Sequence, residues 1–156
     1  MRDVIVPGIW PGLDVVPTSG RTLGHVRDEL VIAGVGREAR MREALAPVID
    51  DYDLVLIDSA PSLDQLTINA LSAADAGVIV NQHEERTVGG AQWLDALREA
   101  AEGRGLRIIG QPIPKRVVIA DATGAARGLD EWGSAEATAL GAIYAEHLTE
   151  IEGAHS

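Results

Sequence analysis

The run Tyr52-Asp53-Leu54-Val55-Leu56-Ile57-Asp58-Ser59-Ala60-Pro61-Ser62-Leu63 constrains this chain more than any other part of it. Leu54–Ile57 is an unbroken apolar stretch with two β-branched members, short enough for a buried strand and too short for a helix. Asp58 closes it, and Pro61 turns the backbone before a segment of helical period begins at Leu63. In an open α/β sheet the strand ends face the ligand crevice, so an Asp at that point can hold the water shell of Mg²⁺ beside phosphate oxygens. A second reading stays open: Asp58 ends a strand and caps a helix starting near Ser62.

Three other apolar runs bounded by turn residues, Leu13–Val16, Ala76–Val80 and Leu106–Ile109, also read as short buried strands. Between them lie segments of helical period. Met41, Ala44, Leu45 and Val48 fall at i, i+3, i+4 and i+7, and Leu63, Leu66, Ala70 and Leu71 repeat the pattern. Two more helices follow, through Trp93, Ala96, Leu97 and Ala100, and through Leu140, Ile143, Tyr144, His147 and Ile151, the latter with Ser134 as N-cap. This alternation predicts an α/β fold, a mostly parallel sheet wrapped by helices. At 156 residues it is expected as a single domain spanning 1–156.

Composition removes several function classes. With no cysteine there are no disulfides, thiolate metal sites or thiol nucleophiles, and the four histidines are scattered without metal-ligand spacing. A net charge of −11 opposes attraction to nucleic acid or anionic lipid. No Phe and only three Trp and two Tyr leave little for stacking on bases. The opening residues are broken by Pro7, Gly8, Pro11 and Gly12 and match neither a signal-peptide core nor a transit helix, so a cytoplasmic address is expected, with no membrane partner. Glu84, Glu85 and Arg86 form a charged run closing a strand, with no paired nucleophile nearby, and receive no catalytic role.

The strand-and-Asp58 segment has the form of a Walker B motif. The longer run from Tyr52 to Ala74, YDLVLIDSAPSLDQLTINALSAA, is similar to the stretch of the ParA/MinD (Soj-like) family of partition ATPases in which that strand precedes a PPSL-like turn and an LTINAL helix. Gly12–Pro17 resembles the family's NLDVIP strand, Arg37–Leu45 its REXRLXXAL helix, and Ala76–Glu85 the strand that ends in Q-C-E. Ile113-Pro114-Lys115-Arg116 with Ala120-Asp121-Ala122 resembles the IPRS and SEA segment near the nucleotide base, and Tyr144–Leu148 fits the last helix. The likeness covers about residues 12–98 and 111–151.

Two departures bear on chemistry. The family's K-G-G-x-G-K-[ST] loop, whose backbone N–H groups, Lys and hydroxyl hold phosphates and Mg²⁺, does not occur in the 156 residues. Ala33-Gly34-Val35-Gly36-Arg37-Glu38 is Gly-rich but lacks the Lys-Ser or Lys-Thr and reads as a loop entering the next helix. After Leu106–Gly110, moreover, Gln111-Pro112 arrives where the family continues with polar residues and a further helix.

The resemblance therefore implies a P-loop-NTPase-like sheet shortened by its first strand and phosphate loop, with a vestigial nucleotide and Mg²⁺ site at Asp58, Pro61, Ile113 and Pro114, Asp58 as the metal contact, and no catalytic residue. The expected function is a non-catalytic ParA-like partition or regulatory protein acting through association. It would act as a homodimer or with an intact ParA-type protein, with a ParB-type adaptor as a further partner and no direct DNA binding. Two alternatives stand beside it: part of a split or mis-started ATPase, using Mg-ATP only if another chain supplies the loop, and a scaffold or inhibitor pairing with an intact relative. The unpaired strands Leu54–Ile57 and Ala76–Val80 must find a neighbour: either they pair directly with each other and close the gap, or another chain completes the sheet, and association is the favoured expectation.

Overall fold

A computed structural model of the chain describes residues 1–84 and 87–154. Contacts divide it into two compact units, Met1–Ala74 and Asp75–Ser156.

The N-terminal unit opens with a two-stranded antiparallel ribbon, β1 (Val6–Pro7) and β2 (Asp14–Val15), in the register Val6↔Val15 and Pro7↔Asp14. Gly12, at φ +81°, takes the left-handed conformation that reverses the chain between them. Helix α1 (Gly20–Ile32) starts at Ser19, whose Oγ accepts from the Thr22 amide at 3.3 Å. Gly36, again left-handed, leads into a 3-10 turn at Arg37–Ala39 and the short α2 (Arg40–Leu45). The helix expected to reach Val48 thus stops a turn early, just before Pro47, which has no N–H to donate. Val48 itself is still buried.

Helix α3 (Gln65–Ala73) buries Thr67, Asn69, Ala70 and Leu71. Asn69 ties it to α2: Oδ1 accepts from the Met41 amide at 3.2 Å, while Nδ2 donates to the Gln65 carbonyl at 2.9 Å.

Two of the expected strands differ from the reading of the sequence. Leu13–Val16 contributes β2, but to the antiparallel ribbon. Leu54–Ile57 forms no strand, and among the described residues no backbone–backbone hydrogen bond engages Asp53–Ser59. The reason is the absence of a neighbour: β1 and β2 satisfy each other, and a strand exists only as one side of a ladder.

The C-terminal unit contains the parallel pairing. Val78 donates to the Arg107 carbonyl and accepts from Ile109, both at 2.9 Å, and His83 donates to Ile113 at 2.8 Å and accepts from Lys115 at 3.0 Å. The bridges Val78↔Ile108 and His83↔Pro114 are both parallel. Helix α4 (Val88–Glu102) makes the crossover that parallel neighbours need, capped by Thr87, whose Oγ1 accepts from Gly90 at 2.9 Å. Gly77 is required here, since a Cβ on it would lie 2.8 Å from the Arg107 carbonyl oxygen. Among the described residues the one named sheet is antiparallel and parallel pairing is confined to these two bridges, so the helix-and-strand character of the expected fold is present and a mostly parallel sheet is not formed.

Helices α5 (Val117–Gly124), α6 (Leu129–Trp132) and α7 (Ala135–Ala154) complete the unit. Ser134 caps α7 as the sequence predicts, its Oγ accepting from Ala137 at 3.1 Å. Ile113, Val118, Ile119, Ala137 and Leu140 form the core, with Ile143 and Tyr144 packed against it. On α4 the buried stripe is Leu94, Leu97 and Ala101, displaced round the helix from the expected Trp93, Ala96 and Ala100.

Candidate functional site

Asp58 follows the unpaired run, exposed to solvent, and among the described residues its carboxylate makes no hydrogen bond or ion pair. It does not cap the following helix. That role belongs to Asp64, whose Oδ1 accepts from Leu66 at 3.0 Å and Thr67 at 3.3 Å, while Ser62 donates to its other oxygen at 3.1 Å. Thr67 Oγ1 reaches back to the Ala60 carbonyl at 3.4 Å, fixing the turn through Pro61. The N-terminal unit thus brings Asp58 and Pro61 together on one exposed turn, with the carboxylate uncommitted.

Ile113 and Pro114 belong to the C-terminal unit. Ile113 is fully buried, its N–H donates to Val80 at 2.8 Å and its carbonyl accepts from His83, so every group on it is engaged in the fold. Pro114 is half-buried beside it. Next to them Lys115 Nζ lies 2.5 Å from Glu84 Oε1, and this bond, then the lysine's charge, holds the Glu84 carboxyl below its ordinary range. Glu85 and Arg86 lie outside the described residues.

Three features escaped the sequence reading. Tyr52 donates to Asp14 Oδ2 at 2.9 Å, and that bond above all raises its hydroxyl's pKa. Asp14, Asp51, Tyr52 and Asp53 line a shallow open depression with Gly12 and Leu54. Tyr144 donates to Asn81 Oδ1 at 2.7 Å, its pKa raised by burial against the opposing effect of that bond. None has a local pattern; each joins residues far apart in the chain.

As a cofactor test, the residues present fit Mg²⁺ and ATP only in part. Asp58 offers one free carboxylate for a metal's water shell. Among the described residues there is no group of three His, Cys, Asp or Glu side chains placed to hold a metal ion, and the sequence contains no lysine-bearing glycine loop to receive phosphates.

The AAA-domain family matches residues 1–104, two thirds of the chain. The chain belongs to the ParA/MinD family of partition ATPases. It is 40% identical over 97 residues to the sporulation initiation inhibitor protein Soj of Bacillus subtilis, covering 62% of this chain and 38% of Soj. It is 43% identical over 94 residues to the chromosome partitioning protein ParA of Myxococcus xanthus, covering 60% of this chain and 32% of that protein. With protein SopA of Escherichia coli K12 the identity is 36% over 104 residues, covering 61% and 26%. The matched region spans well under half the length of each of these relatives. Among the described residues no helix is long and apolar enough to cross a membrane.

Proposed function

We propose that residues 1–156 act as one ParA-like domain in a partition or regulatory system, in the cytoplasm, through association with other proteins and without hydrolysing ATP on their own. The observation that carries this reading is the Asp53–Ser59 run: among the described residues its backbone has no partner, and Leu54 and Leu56 are 41% and 73% exposed. An apolar run with unpaired backbone groups can form a strand when another chain supplies the neighbour, with main-chain bonds supplying affinity. The partner is a second copy or an intact ParA-type protein, as the likeness to Soj and ParA supports, and a ParB-type adaptor is a further candidate. The −11 charge disfavours direct contact with DNA.

Light scattering at micromolar concentration, alone and mixed with an intact ParA-type relative, tests this. A dimer or a mixed complex is expected. A folded monomer that ignores the relative overturns the reading.

The uncommitted carboxylate of Asp58 favours a second reading, in which another chain supplies the phosphate loop and Asp58 serves the Mg²⁺ of Mg-ATP; Pro61, Ile113 and Pro114 would then border the nucleotide. Under this reading a mixture with a loop-bearing chain hydrolyses ATP and Asp58→Ala abolishes the activity. Under the first, a mixed complex forms without turnover beyond that of the relative, and the chain acts as scaffold or inhibitor.

A further inference from the structure

The parallel pair of the C-terminal unit carries an irregularity on both strands at the same level. Five residues separate the bridge positions Val78 and His83, but six separate their partners Ile108 and Pro114. The surplus residue lies on the 108–114 side, where Gly110 sits at φ +57°, and opposite it Gln82 sits at φ +53°, a left-handed conformation costly for a residue with a Cβ. Across this double bulge, among the described residues, the strands are joined by the Ile113 amide alone, donating to the Val80 carbonyl at 2.8 Å, so the register beyond it gains from a further tie.

Helix α7 supplies it with two side chains one turn apart. Tyr144 donates to Asn81 Oδ1 on one bulge at 2.7 Å. His147, 3% exposed, places Nε2 3.0 Å from the backbone carbonyl of Gln111 on the other, and Nδ1 2.6 Å from the carbonyl of Ile143 in its own helix. The fit is close, since a Cβ at Gly110 would fall 2.9 Å from Nε2. Both ring nitrogens therefore face carbonyl oxygens, which only accept. A neutral imidazole carries one N–H and satisfies one of them, leaving a lone pair against the other; the doubly protonated ring donates to both.

We propose that His147, seconded by Tyr144, is a proton-operated latch that holds the 113–115 strand end in register against His83 when the ring is doubly protonated and releases it when one proton leaves. The titratable and charged groups on the elements packed around it are already engaged or solvent-facing. Glu150 of α7 pairs with Arg107, Tyr144 with Asn81 and Lys115 with Glu84, while Glu146 lies on the exposed side of α7. His83, in the ladder itself, stacks on Trp93. The Glu84–Lys115 pair acts in the opposite sense, weakening as pH falls through the carboxylate range, so the latch is read above it.

The test follows the full chain from about pH 5 to 8, the range in which an imidazole changes charge. Ring ¹⁵N shifts of His147 report which nitrogens carry protons, and amide exchange reports the Ile113 and Lys115 bonds to Val80 and His83. As His147 loses a proton, protection at these two amides should fall roughly tenfold after correction for intrinsic exchange, the scale of one charge-assisted hydrogen bond. His147→Gln should show the lowered protection at every pH, His83→Gln should keep the pH dependence, and Tyr144→Phe should keep it from a lower starting level. A ring that stays in one neutral tautomer with constant protection overturns the proposal, as does a pH dependence that survives His147→Gln or vanishes in His83→Gln. Should His147→Gln not fold, the ring shifts of the unsubstituted chain decide alone.

Discussion

Between Met1 and Ala74 four apolar residues are buried and fifteen large ones are exposed; between Asp75 and Ser156, among the described residues, the figures are thirteen and three. The two units draw on the same vocabulary of Val, Leu, Ile and Ala, so composition does not explain the contrast. Layering does. The C-terminal unit has a paired strand layer with α5 and α7 packed about Ile113, whereas the N-terminal unit has helices and a self-contained ribbon with no sheet to cover. Its apolar residues at Ile9, Trp10, Ile32 and Leu56 are left facing solvent. These exposed apolar residues are what the proposed association would cover.

The strongest way to test the contrast is to damage the better-packed side. Ile113→Ala removes a fully buried side chain from the centre of the C-terminal core and should cost about 2–5 kcal/mol, the range for large-to-small changes that leave a cavity. Denaturant unfolding, followed by Trp132 fluorescence, measures it. A cost under about 1 kcal/mol would mean the site collapses freely and the unit is looser than its burial indicates.

On the other side the expected weak point is polar. Asn69, 2% exposed, is the buried link between α2 and α3, and replacing it with Ala leaves the Met41 amide without its acceptor. The loss should be about 1–3 kcal/mol, the penalty of an unsatisfied buried group. It should appear as faster amide exchange in Arg40–Leu45 with Val117–Gly124 unaffected. Equal loosening in both units would break the comparison.

Leu56→Ser sharpens it from the opposite direction. At 73% exposure Leu56 has little to lose, so the stability of the monomeric chain should change by no more than about 0.5 kcal/mol, while any self-association weakens. A loss above about 2 kcal/mol would show that Leu56 is covered in solution.

How far the sequence disclosed these units follows the same division. Local patterning located α3, α4 and α7, the Ser134 cap and the apolar runs Ala76–Val80 and Leu106–Ile109, but not that these two runs pair, so the expectation that Ala76–Val80 lacks a neighbour did not hold. It misjudged Leu54–Ile57, since an apolar run signals a strand only if a neighbour exists, and pairing is not a local property. It left a helix cap at Asp58 open as a second reading, and Asp64 holds that role: both lie near Pro61, and only backbone geometry separates them. Tyr144 and His147 read as a core stripe; their grip on Asn81 and Gln111 joins residues 63 and 36 positions apart. Asp58 itself was visible as a carboxylate directly closing an apolar run, though its freedom from partners was not.

The smallest effect expected is electrostatic and belongs to the rim of the C-terminal unit. Glu84 is solvent-exposed, and its carboxyl is held low first by the hydrogen bond from Lys115 and then by that lysine's charge. Because the folded value lies below the unfolded one, the pair contributes at pH values above the unfolded carboxylate range. The contribution is lost as pH falls through the folded value. Exposure and salt screening keep it slight, so unfolding curves are the wrong instrument. A carboxyl ¹³C titration of Glu84 should give a midpoint below that of the same carboxyl in the Lys115→Met variant, and the gap between the two measures the contact. Raising salt to about 1 M, where the screening length shrinks to about 3 Å, should narrow the gap without closing it, because a direct hydrogen bond is screened less than a separated charge. If salt alone closes the gap, the contact is a transient ion pair and not a fixed bond across the strand ends.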